Sequence, residues 1–188
     1  MRLFVAMDIP EGVRSAIAAI VATLRPACPK ARWVRIDGLH VTLKFIGDTP
    51  DAKVPEIKAA LAVVPPRPPV ALNFRGLGFF PNARRPCVFW AGVEAGPELA
   101  ALAAGVDAAL HPLGIAHEER AFAPHLTLAR FDPPSGLDAL RAAIEKSGAP
   151  EFGGVTADEF HLYQSELKRG GAEYTRLGTF SLRGSERE

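Results

Sequence analysis

The tetrapeptide His40-Val41-Thr42-Leu43 decides the fold of this chain, and it recurs as His125-Leu126-Thr127-Leu128. Each is a His-x-Thr-x unit inside a short apolar run with β-branched residues, which is the local signature of a β-strand. Because side chains alternate between the two faces of a strand, each histidine shares a face with the threonine two residues later. The aliphatic residues between them face a core. Two such strands in one chain predict a paired site.

The sequence around the second tetrapeptide repeats the pattern around the first. An offset of 85 residues, the interval from His40 to His125, aligns Leu3–Ala6 with Val88–Ala91 as two apolar strands. The same offset aligns apolar stripes at spacings of three and four residues, which predict helices on both sides of each His strand. We interpret the chain as a duplicated unit whose His strands face each other. The pseudo-repeats span about 1–80 and 86–167, and a final strand at about 172–182 completes the fold.

Length and composition favour a single domain over residues 1–188. Apolar residues make up 48% of the chain, which excludes disorder. The net charge of +1 excludes a polycation that grips duplex RNA by bulk electrostatics. Local basic clusters exist at Lys30, Arg32 and Arg35 and at Arg84-Arg85. They are either solvated loops or a local positive field for a phosphate-bearing ligand.

The sequence predicts a cytoplasmic monomer without a membrane partner. The first residues reach an acid at Asp8, so they lack the apolar core of a signal peptide, and no apolar run is long enough to span a bilayer. Cys28 and Cys87 form no Cys-x-x-Cys motif and are expected to be free thiols in a reducing compartment. No feature indicates an obligate protein partner.

Two facing imidazoles predict acid–base chemistry near neutral pH, where histidine alone titrates unperturbed. One neutral ring can take a proton from water while the other, charged, gives one to a leaving oxygen. A phosphodiester between the strands would have its non-bridging oxygens held by the two threonine hydroxyls. Its transition state is anionic, so fixed donors and an imidazolium would stabilise it.

Competing chemistries lack their motifs. The chain has no Gly-x-Ser-x-Gly elbow, no Walker loop and no Gly-x-Gly-x-x-Gly, so we expect no Ser nucleophile, ATP or dinucleotide cofactor. Zinc would need a third ligand beside His40 and His125, and no His-Glu-x-x-His or close Cys/His cluster supplies one. We therefore expect neither a metal nor a cofactor.

A set of further motifs accompanies the two tetrapeptides in a fixed order along nearly the whole chain. They are Arg2–Ala6 with Asp8 and Pro10, Trp33-Val34, Leu39–Gly47, Gly78–Pro81, Glu119–Arg130, and Ser165–Leu167 followed by Tyr174. This ordered set resembles the 2H phosphoesterase superfamily. In detail it is similar to the bacterial and archaeal branch of RNA 2′,3′-cyclic phosphodiesterases, historically called 2′-5′ RNA ligases.

The resemblance implies a bilobal α+β fold, with two antiparallel β-sheets about a pseudo-twofold axis lining a central cleft and helices on the outside. It implies hydrolysis of a terminal 2′,3′-cyclic phosphate on RNA or a nucleotide to a 2′-phosphate, without metal or cofactor, with ligation through a 2′-5′ linkage as the reverse reaction. Carried over to this chain, His40 and His125 are the acid–base pair, and Thr42 and Thr127 bind phosphate. Which histidine is the base stays open, because the duplication makes the two equivalent.

Four further residues are candidates for substrate binding. The family pattern suggests that Arg130 holds the leaving strand or phosphate, although strict alternation from His125 points it to the opposite face unless the strand bulges. Alternation places Lys44 on the face of His40 and Thr42, either against RNA or as a solvated lysine at the rim. Ser165 and Tyr174 are expected to shape the site from the last strands.

Two alternatives remain open on the sequence. The first is an RNA- or nucleotide-binding module that holds phosphate ends without hydrolysing them; the two intact histidines argue against a retired site. The second is an enzyme for a small cyclic phosphate, such as a nucleotide or an ADP-ribose derivative.

Overall fold

A computed structural model describes residues 1–132 and 136–184 of the chain. These residues form strands with α-helices interspersed between them along the sequence. The strands are β1 (Arg2–Asp8), β2 (Arg32–Trp33), β3 (His40–Asp48), β4 (Val70–Phe80), β5 (Val88–Ala95), β6 (His125–Arg130), β7 (Glu151–Ala157), β8 (Glu159–Lys168) and β9 (Gly171–Ser181). The α-helices are α1 (Glu11–Leu24), α2 (Val54–Ala62), α3 (Pro97–Leu110) and α4 (Asp138–Ser147).

The strands form two antiparallel sheets, each of which contains one His strand. The first sheet has the order β3-β1-β8-β9 and the second the order β2-β6-β5-β4-β7. The helices pack on the outer faces, so the predicted α+β fold with two sheets is confirmed. No helix in the described part of the chain is long and apolar enough to cross a membrane.

The two halves of the sequence exchange elements. Strand β4 comes from the first half but lies between β5 and β7 in the second sheet, while β8 from the second half lies between β1 and β9 in the first sheet. Likewise, α1 packs against β7 of the second sheet, and α3 packs against β3 of the first. The buried apolar residues of both halves therefore join in one hydrophobic core.

Strand pairing corrects the predicted alignment of the two halves by one residue. Asp8 lies opposite His40, and Gly92 lies opposite His125. The equivalent residues of β1 and β5 are therefore offset by 84 positions, whereas the histidines are offset by 85. Both inner strands are apolar in their central residues, so their hydrophobic pattern does not fix the register. Gly92 is not an acid, so the carboxylate beside His40 has no counterpart beside His125.

Candidate active site

The two His strands meet between the sheets. Strands β3 and β6 approach with Cα atoms within 8 Å of each other, although they belong to different sheets. His40 and His125 begin these strands, and both side chains are half-buried. The charge of a protonated His125 contributes to lowering the pKa of His40, after the larger effect of burial, so the two rings are close enough for the charge of one to act on the other.

Both imidazoles are anchored in the same way. Nδ1 of His40 lies 2.7 Å from the carbonyl oxygen of Gly38, and Nδ1 of His125 lies 2.7 Å from the carbonyl oxygen of Ala123. A carbonyl oxygen only accepts a hydrogen bond, so each Nδ1 carries a proton and donates it. In the neutral ring Nε2 is then the free basic nitrogen. Burial lowers the pKa of both histidines, so each ring can be neutral near physiological pH.

An aromatic cluster packs around His40. The ring of Phe4 is stacked on the imidazole at 4.6 Å between centroids, and Tyr174 meets it edge-on at 5.1 Å. Tyr163 is also stacked on Phe4, with their ring centroids 5.4 Å apart. These side chains line a cavity of about 230 Å³ that also includes Asp8. The cluster fixes the plane of His40 and removes water from one side of it.

A polar network ties Asp8, the strand neighbour of His40, to the last two strands. The hydroxyl of Tyr163 and the guanidinium of Arg176 both donate to the Asp8 carboxylate. Burial and the hydrogen bond to Asp8 raise the pKa of Tyr163 to about 12, which keeps its hydroxyl protonated as a donor. Nε2 of the buried His161 lies 3.4 Å from the same carboxylate. The negative charge of Asp8 raises the pKa of His40 and partly offsets the effect of burial.

His125 has different neighbours. Phe80 meets its ring edge-on at 4.9 Å, and Gly92 stands in place of an acid on the paired strand. Its charged neighbour is Arg130, which adds to the lowering of its pKa by burial. The two histidines therefore share an anchor but not a charge environment, with a carboxylate beside one and a guanidinium beside the other.

The two threonines follow their histidines on the same faces. Thr42 pairs with Ala6, and Thr127 pairs with Trp90. Both side chains are half-buried, and neither hydroxyl has a hydrogen-bond partner within residues 1–132 and 136–184. Two hydroxyl donors thus remain available beside the two imidazoles.

A β-bulge decides where Arg130 points. The pairing of β5 with β6 shifts between Phe89 and Trp90, and both Leu128 and Ala129 are buried in succession. The extra residue reverses the alternation, which returns Arg130 to the face of His125. Its charge acts on the pKa of His125, and it lowers the pKa of Tyr174 against the larger raising effect of burial. Arg130 therefore lies between the His125 side and the His40 side of the cleft.

The matching bulge in β3 sends Lys44 away from the cleft, so the expectation that it shares the face of His40 and Thr42 is wrong. The pairing with β1 shifts by one residue after Val5, and Lys44 is only 5% exposed. Its Nζ donates to Asp107 of α3 at 2.5 Å and to the carbonyl oxygen of Ala116 at 2.6 Å. Lys44 thus fastens the outer helix and the segment before β6, and it does not face the cleft.

The last strands bring Ser165 and Tyr174 together. They are paired residues on β8 and β9, and Ser165 also lies opposite Arg2 of β1. Tyr174 contacts both Phe4 and His40. Ser165 lies farther along the same face, so Tyr174 is the nearer of the two to the histidines.

Sequence reasoning missed three residues at the site. Two of them, Asp8 and Arg176, form an ion pair beside His40. The third, Trp90, lies opposite Thr127. Its indole packs so closely on Gly78 that a Cβ added there would clash with the ring. Alternation from Phe4 along β1 would have placed Asp8 on the cleft face. Nothing local in the sequence of β9 distinguishes Arg176 from an ordinary surface arginine.

With this geometry established, the comparisons with known proteins identify the class. The family model described as the 2′-5′ RNA ligase superfamily matches residues 12–169. The chain belongs to this superfamily.

Similar proteins cover nearly the whole chain. A protein of Methanothermobacter thermautotrophicus named RNA 2′,3′-cyclic phosphodiesterase is 33% identical over 97% of this chain and 99% of its own length. A crystal structure of a protein from Thermus thermophilus has a TM-score of 0.75 and 32% identity, covering 99% of this chain and 100% of that one. Escherichia coli LigT in complex with 3′-AMP has a TM-score of 0.75 and 28% identity, covering 96% and 97% of the two chains.

Proposed function

We propose that the chain is an RNA 2′,3′-cyclic phosphodiesterase in which His40 and His125 act as an acid–base pair on one phosphorus. Water attacks the phosphorus, and a neutral imidazole takes its proton. The bond from phosphorus to the 3′ oxygen breaks, and the second imidazole, charged, protonates that oxygen. The product carries a 2′-phosphate and a free 3′ hydroxyl. Each proton transfer of this kind contributes about 10²–10⁴-fold in rate.

The charged neighbours of the two histidines divide the roles. Asp8 favours the imidazolium form of His40, which suits the general acid. Arg130 favours the neutral form of His125, which suits the general base. On the charged side chain beside each ring we assign the acid to His40 and the base to His125, a distinction that the duplicated motif alone leaves open. Burial and the charge of a protonated His125 act in the opposite direction, since both lower the pKa of His40.

The phosphate is held by the hydroxyls of Thr42 and Thr127 and by the guanidinium of Arg130. The transition state spreads negative charge over the non-bridging oxygens, so fixed donors around them stabilise it more than the ground state. Tyr174 packs against His40 and keeps its ring oriented. Ser165 is proposed only as part of the wall beyond Tyr174.

The observation that carries this proposal is the pair of His-Thr strands with identical Nδ1 anchors on facing sheets. The name shared by the similar proteins supports the reaction, and the nucleotide in the LigT complex supports the ligand class. The groups present supply both proton transfers themselves, so we propose a reaction that needs neither metal nor cofactor.

Incubation of the purified protein with an oligoribonucleotide ending in a 2′,3′-cyclic phosphate, in excess chelator, tests the proposal. The expected product is the 2′-phosphate, identified by phosphorus NMR against the cyclic substrate and the 3′-phosphate. A protein that binds this end but leaves the ring closed is the binding module considered above. Turnover of ADP-ribose cyclic phosphate without turnover of the RNA end would indicate the small-molecule alternative. Ligation through a 2′-5′ linkage, a monomeric state and a cytoplasmic location stay predictions.

A further inference from the structure

A basic loop lies beside His125 and has no part in the chemistry above. It is the segment Pro81–Pro86 between β4 and β5, and it contains Arg84 and Arg85. The residue before it, Phe80, is the one whose ring contacts His125 at 4.9 Å. The amide of Cys87 donates to the carbonyl oxygen of Phe80 at 2.7 Å, which closes the hairpin at this point. The base of the hairpin that carries Arg84 and Arg85 therefore lies beside His125, on the side of the second sheet.

The backbone of this loop is held in place although its side chains are exposed. Oδ1 of Asn82 accepts hydrogen bonds from the amides of Arg84 and Arg85, at 2.9 and 3.1 Å. The guanidinium of Arg141 on α4 donates to the carbonyl oxygens of Ala83 and Arg84. Two arginines are thus presented to solvent from a fixed backbone, which lowers the entropic cost of binding a ligand.

The charge of this loop is not neutralised. Neither Arg84 nor Arg85 forms an ion pair with any acidic residue that the structure describes. In the same sheet, Arg32 of β2 lies opposite Arg130 of β6. Its ion pair with Asp132 is long, at 3.9 Å, and exposed to solvent.

The side of the cleft beside His40 is different. Two of its arginines are matched with carboxylates, since Arg35 pairs with Asp37 and Glu173 and Arg176 pairs with Asp8. Arg2, at the far end of β1, forms no ion pair within the described residues. In a chain with a net charge of +1, two adjacent arginines without a carboxylate partner among the described residues are therefore a local concentration of positive charge.

We propose that Arg84 and Arg85, with Arg32, form a surface that binds the phosphodiester backbone of the RNA strand leading to the cyclic end. This inference rests on the proposed function, because it takes the terminal phosphate to lie between the two histidines. The nucleotides on the 5′ side must then leave the cleft over one rim. Guanidinium groups bind phosphate oxygens in bidentate fashion and without base specificity. The preferred substrate is therefore an oligonucleotide rather than a mononucleotide, and its base sequence matters little at this surface.

The test compares two charge-matched double variants, R84E/R85E and K58E/R183E. Each lowers the net charge by four. Arg183 follows β9 nine residues beyond Tyr174, which is roughly 30 Å along an extended chain, and Lys58 lies on the outer helix α2. The substrates are a hexanucleotide with a 2′,3′-cyclic end and a 2′,3′-cyclic mononucleotide.

We expect R84E/R85E to lower kcat/KM for the hexanucleotide at least tenfold in low salt and to leave the mononucleotide within twofold of the unmodified chain. The negative slope of log kcat/KM against log salt concentration should become shallower by about 1.4, since two phosphate contacts are lost and each contributes about 0.7 on a single strand. K58E/R183E should change neither substrate by more than twofold. Equal losses on both substrates, or equal losses in both variants, would overturn the proposal.

A binding measurement separates this inference from the proposed function. Fluorescence anisotropy with a labelled hexanucleotide that ends in a 2′-phosphate needs no turnover. If the unmodified protein is inactive but R84E/R85E alone weakens this binding tenfold, the surface stands and the proposed reaction fails. If the protein is active and R84E/R85E binds the hexanucleotide as tightly as the unmodified chain, the surface is not an RNA site.

Discussion

Replacing Asp8 by asparagine tests the division of roles between the two histidines. The amide keeps the size of the side chain and its ability to accept from Tyr163, but it removes the negative charge opposite His40. The pKa of His40 is lowered by burial and raised in part by the Gly38 carbonyl and by Asp8. Loss of the Asp8 charge therefore lowers the pKa of His40 further. If His40 is the general acid, the alkaline limb of the kcat/KM profile moves to lower pH.

The size of this shift follows from the pairing of the two strands. Directly paired residues have Cβ atoms about 5 Å apart, which places the two charges roughly 6 Å apart. At an effective dielectric constant of about 20, an isolated pair at this distance interacts by about 3 kcal/mol. Arg176 binds the same carboxylate, and together with solvent screening its charge reduces this energy to about half. The remaining energy of about 1.4 kcal/mol corresponds to a shift of about one pKa unit.

The assay is the pH dependence of kcat/KM for a 2′,3′-cyclic mononucleotide, because kcat/KM reports the groups of the free enzyme. Asp48→Asn is the matched control, since Asp48 is an exposed acid at the end of β3 far from His40. We expect the alkaline limb to move down by about one unit in Asp8→Asn and to stay in place in Asp48→Asn. Movement of the acidic limb instead would show that His40 is the base.

Three further changes have defined outcomes. Arg130→Gln should move the acidic limb of the kcat/KM profile to higher pH, because Arg130, after burial, lowers the pKa of His125. It should also lower kcat/KM about a hundredfold. An acidic limb that does not move would remove Arg130 from the site. Gly78→Ala should lower the free energy of unfolding in urea by about 1–3 kcal/mol, because its Cβ would meet the Trp90 ring; an unchanged midpoint would contradict that packing. Asp107→Asn should lower the free energy of unfolding by about 2 kcal/mol at pH 7, since hydrogen bonds outweigh burial and hold its pKa at about 2. This difference should disappear as the pH falls from about 4 toward 2, because a depressed pKa stabilises only above the unfolded value; a difference that persists at pH 2 would have another cause.

Much of the fold follows from the sequence because two independent patterns agree. The His-x-Thr units fix which faces of β3 and β6 point to the cleft, and helical stripes flank both strands. The exchange of β4 and β8 between the sheets does not follow, because an apolar strand fits either sheet equally well by its pattern. Only the packing of the whole core selects the partner.

The candidate site was predictable up to the first bulge in each strand. Period-two alternation places His40 and Thr42 together, and His125 and Thr127 together. Two residues later it fails, since an extra residue in each His strand exchanges the faces. Arg130 thereby returns to the cleft, while Lys44 turns to the helices. Bulges leave no composition signal here, because the bulged residues Leu43 and Leu128 are ordinary core leucines.

The proposed reaction depends on two imidazoles that act together on one phosphorus. Single-turnover cleavage of a cyclic-ended oligonucleotide by His40→Ala, His125→Ala and the double variant measures this most directly. Groups that act as a unit are not additive, so each single variant should lose at least a thousandfold and the double variant little more. A single variant that stays within tenfold of the unmodified chain, or a double variant whose loss is the product of the two, would contradict a shared site.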